Sequence, residues 1–238
     1  LKNITKSAHI KAIEASASGL HWTFAPTVDV ARDQRWGRVA EAAGEDVFLS
    51  CAFSAARVQG FQGDDLKAAD TLLATPKHFA AYGAVMGGLD YNSVEISEGT
   101  LRDVHLPPFK AALDAGALTI MSAFNDINGV PASANHQLMT VILRHEWKFR
   151  GFVVSDYTAD FELVAHGYAS DDSEATQLAF NAGLDMSMQS GLYGAHLAAL
   201  VESGKIDVRT VDDSVRRVLA VKDAIGLFLS SIQGEFYT

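Results

Sequence analysis

Gly151-Phe152-Val153-Val154-Ser155-Asp156 sets a short run suited to a buried strand directly before a carboxylate. A strand with one wet face alternates apolar and polar residues; this run does not, so it reads as a strand covered on both faces. Similar short runs stand at Leu72 to Phe79, Leu118-Thr119-Ile120-Met121 and Leu184 to Met188, and Leu20 to Val30 is extended around Pro26, which cannot continue a helix. Helical spacing predicts helices over Ser7 to Ser18, Ala43 to Gln59 with a stop at Gly60, Ser97 past Pro107-Pro108 to Gly116, Asn135 to Trp147, Asp172 to Ala182, Tyr193 to Ser203 and Thr210 to Ile225. Five strand-like runs, each followed by a helix and with no linker-like composition shift, predict an α/β fold of the (β/α) barrel type. Five are too few to close a (β/α)8 TIM barrel, so the barrel is expected to be incomplete, with residues 1–238 as a single domain. An open doubly wound sheet fits the alternation too, but no strand-to-helix turn carries its Gly-rich phosphate fingerprint.

The 238 residues include 29 acidic and 19 basic side chains, a net charge of −10, with 48% hydrophobic and 20% charged residues, the profile of a soluble globular domain. No run of Lys or Arg supplies the electrostatic footprint of nucleic-acid binding. No segment approaches the roughly 18 apolar residues of a membrane span. Nucleic acid and membrane are therefore set aside as partners. Cys51 has no possible intrachain partner and is expected as a small buried helix residue; the compartment stays open. The start, Leu1-Lys2-Asn3-Ile4-Thr5-Lys6, lacks the features of a signal peptide and reads as a chain begun partway through a longer one.

In such barrels chemistry gathers at the C-terminal ends of the strands. The polar residues there are Asp29, Arg32, Asp33, Arg35 and Arg38, then Lys77 and His78, Asn125, Asp156 with Tyr157, and Ser187 with Gln189. Asp156 stands out, because an Asp after a buried strand is costly to desolvate unless it is paired or used; a helix N-cap near Thr158 is its plain alternative. Lys77 and His78 are adjacent, and neighbours in a regular strand point to opposite faces, so both meet one ligand only where the strand is distorted or finished. The Arg32 to Arg38 cluster reads as a site for an anion or for hydroxyls, or as an ion-pair network with Glu41, Glu45 and Asp46. Trp22, Trp36, Tyr82 and Tyr157 are suited either to stacking on sugar faces or to packing. Metal-ligand spacing among the histidines, thiolate cages and a Gly-x-Ser-x-Gly elbow are all absent, so neither a metal nor another cofactor is called for.

Together these pieces resemble glycoside hydrolase family 3, especially its bacterial β-glucosidases and β-xylosidases. The matching runs are FAPTVDVARDQRWGR at 24–38, Gly44-Glu45-Asp46, Lys77-His78-Phe79, Leu106-Pro107-Pro108-Phe109, Met121-Ser122-Ala123-Phe124-Asn125, Asn128-Gly129, Gly151 to Asp156 and VKDAIGLF at 221–228, in family order. The resemblance implies that Asp156 is the nucleophile of a retaining β-glycosidase acting on an oligosaccharide or other glycoside through a covalent glycosyl intermediate. It implies further that Arg38, Lys77 and His78 donate hydrogen bonds to sugar hydroxyls, that Met121, Phe124 and Tyr157 line the sugar site, and that the backbone at Lys77-His78 is distorted, even cis. The chain departs from many relatives in having Met86 and Leu89 around Gly87-Gly88, where charged residues are common, and Phe124 in place of Tyr. The match begins after the family's first barrel strands and ends before the second α/β domain that usually supplies the general acid/base. An N-acetylhexosaminidase-type member is disfavoured, because Ala80 to Gly88 holds no His. A non-catalytic carbohydrate-binding fragment is the alternative from a different class.

Overall fold

The computed structural model describes residues 1–228; the last ten residues of the expected 1–238 domain lie outside the described residues. Among the described residues the α-helices are α1 (Lys2–Ala17), α2 (Val47–Gln62), α3 (Glu98–Thr100), α4 (Pro107–Asp114), α5 (Glu162–Ala165), α6 (Asp172–Ala182), α7 (Leu192–Glu202) and α8 (Val208–Ala224). The regular strands are β1 (Thr119–Met121), β2 (Asp126–Ile127), β3 (Val130–Pro131), β4 (Phe152–Tyr157) and β5 (Met186–Met188).

β4 is the central strand. It pairs in parallel with β1, Ile120 opposite Val153, and in parallel with β5, Val154 opposite Met186. The predicted strands at 20–30 and 72–79 are extended but paired through isolated parallel bridges, Trp22 with Leu73 and Thr27 with Lys77, and the second reaches β1 through Phe79 and Ser122. Pro26, in a cis peptide after Ala25, has no N–H to add to a ladder, which accounts for part of that irregularity. The five extended segments are thus adjacent in chain order and all parallel, an incomplete (β/α)8 topology. The β2–β3 hairpin turns at Asn128 and Gly129, both at positive φ (53° and 83°), a backbone that Asn and Gly tolerate best.

Phe152 to Ser155 are all buried, as the unalternating run predicts. Val153, Ile120 and Phe79 pack with Phe109, Leu138 and Leu163 in one core cluster. Phe152, Val154, Met121 and Leu73 pack with Val221 of α8 in another. Burying one such side chain contributes about 1.5–3 kcal/mol.

Helix limits differ from expectation for identifiable reasons. α2 starts after Asp46, whose carboxylate accepts the Leu49 N–H at 2.7 Å, and runs through Gly60, which is a packing glycine: a Cβ there would strike the Thr5 carbonyl of α1. Its real stop is Gly63, at φ 56°. The helix expected from Ser97 to Gly116 is three pieces, α3, a wide π turn over Leu101–His105, and α4 opening on Pro107, because Pro is tolerated at a helix start and not within one. Cys51 is half-buried on α2 rather than buried. Among the described residues no helix is long and apolar enough to cross a membrane.

Candidate functional site

The parallel arrangement brings the ends of the extended segments to one rim. Backbone pairing of Val28 N–H with the Lys77 carbonyl (2.8 Å) sets Asp29 beside His78, and pairing of Ser122 N–H with the Val154 carbonyl (2.9 Å) carries β4 forward to Asp156. The result is a line of three groups. His78 Nδ1 lies 2.8 Å from Asp29 Oδ2, and His78 Nε2 lies 3.4 Å from Asp156 Oδ2. Side-chain exposure is 0% for His78, 1% for Asp29 and 14% for Asp156, so a molecule arriving from solvent reaches Asp156. Asp156 does not cap a helix: its Oδ1 accepts the N–H of Tyr157 at 2.7 Å, Thr158 takes φ 58°, and α5 begins only at Glu162.

The Lys77–His78 peptide is cis, the geometry the resemblance implies. His78 is buried with Tyr82 edge-on at 5.1 Å, while Lys77 is half-buried in the field of Glu41, whose carboxyl it helps hold down. Arg38 is bidentate to Glu41, at 2.7 and 3.0 Å, and Thr27 Oγ donates to the same carboxylate at 3.2 Å. That pairing raises the Arg38 guanidinium and lowers Glu41. Arg38 also lies over the Tyr82 ring, 5.5 Å from its centroid.

The Arg cluster therefore divides. Arg35 pairs with Asp33 on the surface and Arg32 Nε reaches the Glu45 carbonyl, which is loop ordering, whereas Arg38 faces inward toward Tyr82 and Glu41. Of the aromatics, Trp36 and Tyr82 are fully buried and Trp36 Nε1 donates to Asp90 at 2.9 Å, so both are packing residues; Tyr157 is 56% exposed. Phe124 is buried, with Tyr91 edge-on at 4.7 Å and Tyr82 at 5.8 Å. Met121 lies in the cluster with Phe152, Val154 and Val221, a different cluster from that of Phe124. Asn125 is buried, its amide donating to the Asp126 carbonyl at 3.2 Å. Ser187 bonds Ser190, which in turn donates to the buried Asp160.

The Gly-rich loop packs against this rim. A Cβ on Gly83 would meet the Val30 carbonyl oxygen at 2.5 Å, and one on Gly88 would meet the Trp36 nitrogen at 2.7 Å. Only glycine lets the loop lie against the segment that carries Asp29 and Trp36.

Sequence reading missed three contributors. Asp29 was among the rim residues but without a role, and Glu41 was only an ion-pair partner. Glu162 carried no signal at all; its carboxyl is raised first by burial and then by the charge of Asp156. Among the described residues no group of three or more His, Cys, Asp or Glu side chains is arranged to hold a metal ion.

A family model described as "Glycosyl hydrolase family 3 N terminal domain" matches residues 1–221. The chain is 44% identical over 219 residues to a periplasmic β-glucosidase of Salmonella typhimurium, an alignment covering 92% of this chain and 29% of that protein. It is 39% identical over 219 residues to a putative β-xylosidase of Formosa agariphila, covering 90% and 29% respectively. The crystal structure of a β-glucosidase from Listeria innocua in complex with glucose superposes with a TM-score of 0.94 at 41% identity, covering 97% of this chain and 32% of that one.

Proposed function

Because this chain belongs to the glycosyl hydrolase family 3 N-terminal domain family, we propose that it carries the nucleophile and the sugar-binding donors of a retaining β-glycosidase. The observation that carries the reading is Asp156: it is the penultimate residue of a barrel strand whose first four residues are buried, is the accessible member of the Asp29–His78–Asp156 line, and stands where the fold gathers its polar groups. A carboxylate oxygen of Asp156 attacks the anomeric carbon. The glycosidic C–O bond breaks as an acid protonates the departing oxygen, and a glycosyl ester forms on Asp156. Water, deprotonated by the same group now acting as base, then cleaves that ester and releases the sugar with its configuration retained. Arg38, Lys77 and His78 donate to sugar hydroxyls, a pairing that rejects analogues lacking them. Met121, Phe124 and Tyr157 line the site.

The chain spans 29% of the length of the Salmonella relative. On our reading, residues 1–238 are the later part of one barrel domain. Its opening strands and the acid/base carboxyl, about 5–5.5 Å from the nucleophile in retaining enzymes, come from outside these residues.

The test is an activated 2-fluoro glycoside with the complete protein, followed by mass spectrometry of the labelled peptide. Label on Asp156 supports the reading; label on another carboxylate sinks it. Turnover of an aryl glucoside against an aryl xyloside decides the sugar. Binding of glucose by calorimetry, with turnover of neither, marks a carbohydrate-binding protein without catalysis.

A further inference from the structure

We infer that Asp29 is a positioning residue that acts on the reacting centre through His78; the inference rests on the assignment of Asp156 as nucleophile. One oxygen of Asp29 accepts twice from the same residue, from the His78 backbone N–H at 3.1 Å and from the ring at Nδ1, 2.8 Å away. Those two contacts fix both the place and the rotation of the imidazole, and Tyr82 holds its plane edge-on. An ionised carboxylate only accepts, so the Nδ1 atom it faces carries a hydrogen. The ring's other nitrogen, Nε2, is buried without a hydrogen-bond partner and faces Asp156 Oδ2 at 3.4 Å.

Asp29 is itself a costly group to keep. It is buried, its Oδ1 has no hydrogen-bond partner, and among the described residues its ion-pair partner is His78, with no Lys or Arg paired to it. A buried carboxylate held this way costs several kcal/mol unless something is gained from it. What is gained is a ring of defined orientation whose free nitrogen meets the glycoside.

Two measurements on the complete protein test this. Imidazole ¹⁵N NMR of histidine-labelled wild type, with the His78 signals assigned by their loss in His78→Gln, is expected to show Nδ1 protonated at every pH at which the fold persists; a bare Nδ1 with Nε2 protonated overturns the inference. In the kinetic cycle, Asp29→Asn is expected to lower kcat/KM about 10–100-fold, and Asp29→Asn combined with His78→Gln to be no worse than His78→Gln alone. Losses that multiply, or an Asp29→Asn protein within twofold of wild type, overturn it. A wild type that turns over no glycoside defeats the proposed function, and the NMR result still decides the role of Asp29. It decides likewise if Asp29→Asn does not fold.

Discussion

His78 Nε2 and Asp156 Oδ2 stand 3.4 Å apart although they lie on different extended segments, and the remainder of the ring is anchored 2.8 Å from Asp29. A ring fixed in place beside a reachable carboxylate is the kind of arrangement that preorganised electrostatic stabilisation requires, because the ring need not reorient when charge develops. The physical question is then which side chains maintain it.

Asp156→Asn keeps the shape of the side chain and removes the charge that the proposed nucleophile needs. Aryl glucoside turnover by the complete protein is expected to fall about 10⁴-fold or more, as for other covalent nucleophiles, while calorimetry still reads glucose binding. Turnover within tenfold of wild type refutes the assignment.

Glu41 braces the cations. It holds Arg38 by two hydrogen bonds and lies in the field of Lys77. In Glu41→Gln the bidentate pair is lost, and Arg38→Lys loses the planar fork that makes it. Both variants are expected to raise KM by about tenfold or more, roughly the value of one charged hydrogen bond, with kcat changing less. Steady-state kinetics with an aryl glycoside reads the split; an unchanged KM in both counts against a sugar-binding role for Arg38.

Asp185 ties three elements into the sheet. Its Oδ2 accepts from Arg144 at 2.6 Å and from the Val153 N–H at 2.8 Å, and its Oδ1 accepts from Arg217 of α8 at 2.9 Å. The carboxylate is 1% exposed. Asp185→Ala leaves the largely buried Arg144 without its partner and is expected to cost about 3–5 kcal/mol, measured by denaturant unfolding. A loss below about 1 kcal/mol, the range of surface pairs, means that the clamp is dispensable.

His105 is buried at the end of the π turn, and desolvation lowers it to about 4 from an ordinary 6.5, against the opposing pull of Asp29. The unfolded chain therefore takes up a proton that the folded chain refuses as pH falls from about 6.5 toward 4. Stability is fully present above that window and declines within it, by about 3 kcal/mol at most from this residue. His105→Gln is expected to flatten the decline. Equal pH dependence of the unfolding free energy in the two proteins excludes the effect.

Much of this was legible in the chain. The unalternating Phe152 to Ser155 run announced a strand buried on both faces, Asn128-Gly129 a tight hairpin, and Asp156 a carboxylate at a strand end. These rest on local chemistry: side-chain period, backbone freedom and the cost of desolvation act within a few residues. The alternatives left open locally were settled by distant partners. Arg38 was separated from Arg35 by facing Tyr82, Trp36 and Tyr82 were removed from the surface by packing on each other, and Gly60 proved a contact glycine because α1 crosses it.

The nature and placement of the Asp156 carboxylate are thus written in the order of its neighbours. That Asp29 meets His78, and that His78 meets Asp156, is not. Those contacts depend on the register between separate strands, and a strand's own hydrophobic pattern states which face it buries but not which residue of the next strand will lie beside its last one.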